Sequence, residues 1–206
     1  EQTGVWISVS FKEGAEIVIA PLPMYHIFCL TSTLSFMKWG SLSVLITNPR
    51  DLPALVTEMG KWKFTVMTGV NTLFNGLLNT QGFAQLDFSA LKVVVGGGAA
   101  VLKPVAEHWQ QVTGHHLTEA YGLTEASPVI TMTRFDDSLE RRVETVGRAL
   151  PGIEVQIADD AHRPLPVGEM GELACRGYNV MLGYYNMPDK TDEVIDGERW
   201  LYSGDL

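Results

Sequence analysis

The chain has 206 residues, 46% of them hydrophobic and 19% charged, with a formal net charge of −9. That composition supports a sizeable core, in one large domain or two small ones, and argues against disorder. The acidic balance gives no support to nucleic-acid or anionic-membrane binding, which would want a basic face. The two cysteines, Cys29 and Cys175, lie far apart without a CxxC spacing, so a reduced, cytoplasmic setting is expected over a disulfide or zinc scaffold.

No uninterrupted apolar run is long enough to span a bilayer. The opening Glu1-Gln2-Thr3-Gly4 is not a signal peptide and lacks an initiator Met, and Ser203-Gly204-Asp205-Leu206 has neither a polar tail nor a helix stop. The expectation is an internal piece of a longer chain.

Glu16 to Ala20 is a short apolar, β-branched run ended by Pro21 and Pro23, and reads as a buried strand leaving into a turn. Met24-Tyr25-His26-Ile27-Phe28 follows, then a largely apolar segment to Trp39. Leu30, Leu34 and Met37 sit there at helical spacing, which predicts a buried helix. Gly40 closes it, and Ser41 to Thr47 reads as the next strand.

Asp51 to Trp62 carries Leu52, Leu55, Val56 and Met59 on one face of an amphipathic helix. Phe64 to Thr68 is a strand, Asn71 to Asn79 a short helix, and Leu91 to Val95 another continuous apolar strand. That strand runs into Gly96-Gly97-Gly98-Ala99-Ala100, then a helix opened near Pro104 and closed by Gly114.

After about Arg134 the style changes. Asp136 to Glu144 is polar, and Gly152 to Ala158 alternates as a half-exposed strand does. Gly171 to Gly177 is a second short strand, and Asp189 to Ile195 a short helix before Trp200 to Asp205. The fold class expected is α/β, a largely parallel sheet flanked by helices and followed by a small antiparallel β region. The division falls between residues 1–136 and 137–206.

In parallel sheets of this kind, ligands sit beyond the carboxyl ends of the strands. His26, Thr68-Gly69, Gly96 to Ala100 and Tyr121 to Glu125 all fall just after a strand or at its end, so one rim would collect them.

Tyr121-Gly122-Leu123-Thr124-Glu125 packs complementary chemistry into five positions. Tyr121 offers a face for a purine, Gly122 permits close backbone approach, Thr124 offers a hydroxyl to a phosphate, and Glu125 offers hard oxygen ligands suited to Mg²⁺. Any such five residues alone would more often be a turn with a solvated glutamate. Taken singly, His26 would be a core histidine, Gly96 to Gly98 an ordinary strand-to-helix turn, and Asp205 a turn residue. His108, His115, His116 and His162 lack metal-ligand spacing.

The string Tyr-Gly-Leu-Thr-Glu resembles the adenine- and Mg-binding motif of the adenylate-forming enzymes. Pro23-Met24-Tyr25-His26-Ile27-Phe28 is similar to the family segment whose histidine faces the acyl carboxylate. Gly96 to Ala100 is similar to the glycine-rich turn lining the adenine and the acyl channel. Val146-Gly147-Arg148 to Pro151-Gly152 resembles a Gly-x-Pro-x-Pro-Gly segment, with Ala149 where proline is common. Trp200 to Asp205 resembles Trp-Leu-x-Thr-Gly-Asp, with Ser203 for threonine. The wording looks most like bacterial long-chain fatty acyl-CoA ligases, and the chain then corresponds to part of the large N-terminal domain of an acyl-CoA synthetase.

The resemblance implies acyl adenylation by ATP with Mg²⁺, then thioester formation with CoA. It implies that Glu125 holds the metal, Thr124 the α-phosphate, Tyr121 and Gly122 with Gly97, Gly98 and Ala99 the adenine side, and Asp205 the ribose. His26 would orient the carboxylate of a long-chain fatty acid. Ile27 to Ser32 contains no carboxylate to hold an ammonium, which favours an uncharged acyl tail. Peripheral attachment of the parent at the inner face of the membrane is compatible with such a substrate, and the sequence sets no oligomeric state.

The family's Ser/Thr/Gly-rich phosphate loop with its lysine does not occur among these 206 residues, and the family's part beyond the Trp-Leu-x-Thr-Gly-Asp segment is not among them either. The 206 residues alone are therefore expected to be catalytically silent. A non-catalytic lipid-binding or interaction module is the alternative. A dehydrogenase is disfavoured because no GxGxxG follows the first strand.

Overall fold

The computed structural model describes residues 11–134 and 136–206; the opening residues 1–10, read above as lacking a leader, lie outside them. Five parallel strands form the larger sheet's main part. In sheet order they are β2 (Leu42–Leu45), β1 (Ile17–Ala20), β3 (Val66–Gly69), β4 (Val93–Gly97) and β5 (Leu117–Gly122). Among the described residues the sheet continues antiparallel through β6 (Val129–Met132) and β7 (Arg148–Ala149).

The connections are short helices: α1 (Ile27–Lys38), α2 (Leu52–Met59), α3 (Asn71–Leu78) and α4 (Lys103–Thr113). Local chemistry explains their ends. Asp51 caps α2 by accepting from Ala54 N at 3.1 Å, with Pro53 in the first turn. Gly114 stops α4 with φ +76°, a conformation only glycine adopts freely. Leu73, Phe74 and Leu77 of α3, Trp109 of α4 and Met67 and Val94 of the sheet are buried in one cluster.

The face of α1 differs from the expectation. Cys29, Thr33 and Phe36 are buried, whereas Leu30, Leu34 and Met37 are 36%, 55% and 60% exposed. The helix is apolar on both sides, so periodicity alone does not choose the inward face. The sheet-facing polar groups are satisfied locally, Cys29 Sγ by Leu22 O at 2.9 Å and Thr33 Oγ1 by Met24 Sδ at 3.6 Å. The open stripe lies beside β2, the outermost strand among the described residues, where Leu42 and Leu45 are also exposed.

Several elements were not expected, among them β7 and a 3-10 turn at Phe83–Gln85. Val129 to Met132 pairs with β5, and α5 (Leu139–Glu144) rises from the polar stretch with Ser138 as its cap. The smaller sheet is antiparallel as expected, in the order β10 (Leu201–Tyr202), β9 (Glu172–Gly177), β8 (Ile153–Ala158), with α6 (Pro188–Val194) before β10. One buried cluster runs from Val18, Val66 and Val95 through Ile130 and Met132 to Ile153, Cys175 and Leu201. It joins the two sheets and so fixes the end of the chain relative to β5.

Candidate active site

Strands β1, β3, β4 and β5 are neighbours and parallel, so their carboxyl ends form one rim. The chain leaving β1 reaches His26, which caps α1: its Nδ1 accepts from Phe28 N at 3.2 Å. A ring accepting at Nδ1 carries its proton on Nε2, so the free nitrogen is a donor. Gly97 ends β4, and a Cβ there would press on the Phe28 ring at 3.2 Å and Ala120 O at 3.1 Å. Gly98 follows with φ +75°.

Tyr121 and Gly122 end β5. Thr124 to Ala126 make a single 3-10 turn, closed where Leu123 N donates to Pro128 O at 3.0 Å. A Cβ on Gly122 would collide with that same carbonyl, at the point where the pairing of β5 and β6 shifts register. The turn leaves Thr124 exposed and Glu125 half-buried.

Asp205 arrives from the other sheet. Leu173 N donates to Asp205 O at 3.0 Å, Ser203 Oγ to Leu173 O at 2.7 Å, and Gly204 N to Glu172 Oε1 at 2.6 Å. These bonds pin the segment to β9. The Tyr121 hydroxyl then donates to Asp205 Oδ2 at 2.7 Å. Burial, with the Asp205 carboxylate adding to it, pushes the Tyr121 phenol up to about 12, so it stays protonated.

One cavity is lined by His26, Phe28, Gly97, Gly98 and the run Ala120 to Glu125. Its neighbour is lined by Gly98, Ala99, Ala100, Glu119, Tyr121, Gly122 and Asp205. His26, Gly97, Gly98, Ala99, Tyr121, Gly122, Thr124, Glu125 and Asp205 therefore all line these two cavities. Behind them lies a third, almost wholly apolar cavity between α1 and the sheet. Phe28, Ala120, Pro128 and Val129 line both this cavity and the first, and Phe36, Val95 and Met132 lie deeper.

Three residues escaped the sequence reading. Glu119 is buried beside the glycine turn, where its carboxylate accepts from Val101 N; burial raises its titration to about 6. Its place two residues before Tyr121 on an alternating strand was the available signal. Tyr184 donates to Glu125 Oε1 at 2.8 Å, and Asn179 Nδ2 to Ala126 O at 3.1 Å. Nothing local in the sequence ties these two to the motif.

A metal would find one carboxylate and one hydroxyl here, in Glu125 and Thr124. Among the described residues no group of three His, Cys, Asp or Glu could hold a metal by itself. That sparse oxygen set suits Mg²⁺, which keeps water and phosphate oxygens as its remaining ligands. No described helix is long and apolar enough to cross a membrane.

The model of the AMP-binding enzyme family matches residues 2–185. The chain is 45% identical over its whole length to the long-chain-fatty-acid–CoA ligase of Escherichia coli O6:H1, and 47% identical to that of Yersinia pestis. It spans 36% of the length of each. Among solved structures, the amide bond synthetase McbA from Marinactinospora thermotolerans is 26% identical with a TM-score of 0.86, and ATP-bound MatB from Rhodopseudomonas palustris is 27% identical with a TM-score of 0.79. Each aligns with 98% of this chain and 40% of its own. The anthranilate CoA ligase AuaEII, at 22% identity and a TM-score of 0.86, shares the fold. With its motif-bearing rim and this family match, the chain belongs to the AMP-binding enzymes.

Proposed function

We propose that this chain forms the adenylate-holding rim of an ATP-dependent long-chain fatty acid–CoA ligase. The observation that carries the reading is the convergence of Tyr121 and Asp205, 84 residues apart and 2.7 Å from each other, beside His26, Thr124 and Glu125. The lining past Phe28 is almost wholly apolar, in a cavity of only about 30 Å³, and this chemistry favours an uncharged tail as the other half of the substrate.

In this reading a fatty carboxylate attacks the α-phosphate of ATP, pyrophosphate leaves, and the CoA thiol then displaces AMP. Two anions must meet, so the protein's work is positioning and charge stabilisation. His26 turns its Nε2–H towards the acyl carboxylate. Tyr121 stacks on adenine, Gly97, Gly98, Ala99 and Gly122 let the nucleotide approach the backbone, and Asp205 accepts from the ribose diol. Thr124 donates to the α-phosphate. Glu125 would hold Mg²⁺, which supplies neutralisation of the phosphate charge when bound. The cavity wall carries no carboxylate, so an ammonium on the tail would go unpaired and an uncharged tail is favoured.

The two free, buried cysteines support a cytoplasmic setting. The test is pyrophosphate release by the full-length protein carrying this chain, with a long-chain fatty acid, ATP and Mg²⁺. Fatty-acid-dependent release that falls about a hundredfold or more in Glu125→Ala supports the reading. Release equal in the two proteins, or none from wild type, refutes it.

A further inference from the structure

The 3-10 turn fixes the backbone of Glu125 but not its carboxylate. That carboxylate is tied from 59 residues away, by the Tyr184 hydroxyl donating to Oε1 at 2.8 Å. No other hydrogen bond to it occurs among the described residues. We propose that Tyr184 is a positioning residue for the reaction, holding Oε1 back so that the second oxygen of Glu125 is presented to the cation of the nucleotide. This assignment rests on the role given to Glu125 under Proposed function.

Two features favour a positioning task over incidental contact. The first is the rigidity of the strap that delivers the hydroxyl. Met181 N donates to Glu125 O at 2.8 Å and Asn179 Nδ2 to Ala126 O at 3.1 Å, so the strap is bonded to the motif's backbone before Tyr184 reaches its side chain. Arg199 Nη2 holds Met181 O at 2.6 Å from the other side. Tyr184 N donates to Thr191 Oγ1 at 2.9 Å, and that hydroxyl donates to Met187 O at 3.0 Å. A Cβ at Gly183 would stand 2.8 Å from Thr191, so the strap closes on α6 without slack.

The second is the chemistry of the donor. A phenol orients a carboxylate without cancelling its charge. Lysine or arginine would make an equally short bond but would neutralise the acid and repel a divalent cation. Residues that orient a metal ligand commonly control metal affinity by about 10- to 100-fold.

The experiment uses the full-length protein with a non-hydrolysable ATP analogue and Mn²⁺, read by electron paramagnetic resonance, for wild type, Tyr184→Phe and Thr191→Val. Tyr184→Phe is expected to raise the Mn²⁺ dissociation constant about tenfold. The half-saturating Mg²⁺ in pyrophosphate release should rise in parallel. Metal-free binding of an acyl-AMP analogue and the thermal midpoint should stay unchanged, which a merely structural role would not give. Thr191→Val leaves the Tyr184 hydroxyl in place but removes the Thr191 bonds that hold its strap, so a smaller rise in the same direction is expected, and it carries the test if Tyr184→Phe does not fold. Mn²⁺ affinity unchanged in the folded variants, with wild type active, overturns this assignment alone. A wild type without Mg²⁺-dependent release overturns the function reading and this assignment with it.

Discussion

The Tyr121 hydroxyl donates to Asp205 Oδ2 at 2.7 Å, joining the end of β5 to the segment after β10. The bond closes the rim between the two sheets and holds the Tyr121 hydroxyl against the carboxylate proposed to take the ribose. Ring and hydroxyl can be separated by mutation. Tyr121→Ala removes the stacking face, worth about 1–3 kcal/mol per base, so ATP should bind about ten- to a hundredfold more weakly. Tyr121→Phe keeps the face and loses only the bond, so it should sit much nearer wild type. Calorimetric titration with ATP on both variants checks the order.

Gly122→Ala is expected to be far more damaging than its size suggests. The added methyl meets the Pro128 carbonyl, which cannot move without undoing the β5–β6 pairing and the turn that carries Glu125. The cost should be about 3 kcal/mol or more. Gly114→Ala is the control: there the methyl enters open space and only the positive φ is strained, for about 1 kcal/mol. Urea denaturation of the two variants gives the comparison.

Glu119 should leave a mark on the pH dependence of stability. Its folded-state titration lies at about 6, above the ordinary 4.5. The raised value means its contribution favours the fold below the unfolded value and is lost as pH rises through about 6. Glu119→Gln keeps an acceptor for Val101 N and removes the titration. Relative to that variant, wild type should lose up to about 2 kcal/mol between pH 4.5 and 7, measured as paired urea curves.

The ion pair of Lys92 and Glu16 predicts the opposite sign. Glu16 is fully buried, and its Oε1 accepts from Lys92 Nζ at 2.6 Å and from Lys12 N at 2.7 Å. Burial pushes this carboxyl upward, but those bonds outweigh it and hold it below the ordinary 4.5. Its stabilisation is therefore present above that value and lost as pH falls through the lowered one. Lys92→Met should cost about 2 kcal/mol at pH 7, less than a wholly buried pair because Lys92 is about a third exposed. The difference from wild type should shrink in acid, which denaturation at pH 7 and 3.5 tests.

Much of this molecule was legible because its signals are local. The apolar runs at Ile17, Val66 and Val93, the amphipathic face from Leu52 to Met59 and the stop at Gly114 each declare themselves within a few residues. The rim was legible too, since strand ends of a parallel sheet share one side. What failed was orientation and long-range contact. Leu30, Leu34 and Met37 announced a helix but not its inward face, because Cys29, Thr33 and Phe36 formed a competing stripe. Val129 to Met132 was hidden behind Pro128, which hid the partner strand of β5. Tyr184 and Asn179 reach the motif from more than fifty residues away, through a fold that no spacing rule encodes.

The most direct measurement is a crystal structure of the full-length protein with a non-hydrolysable long-chain acyl-AMP analogue. The purine should lie on the Tyr121 ring, the ribose hydroxyls within hydrogen-bonding distance of Asp205, and the acyl chain past Phe28 in the cavity bounded by Val95 and Met132. An adenosine bound away from Tyr121 and Asp205, or an acyl chain outside that cavity, would contradict the proposal.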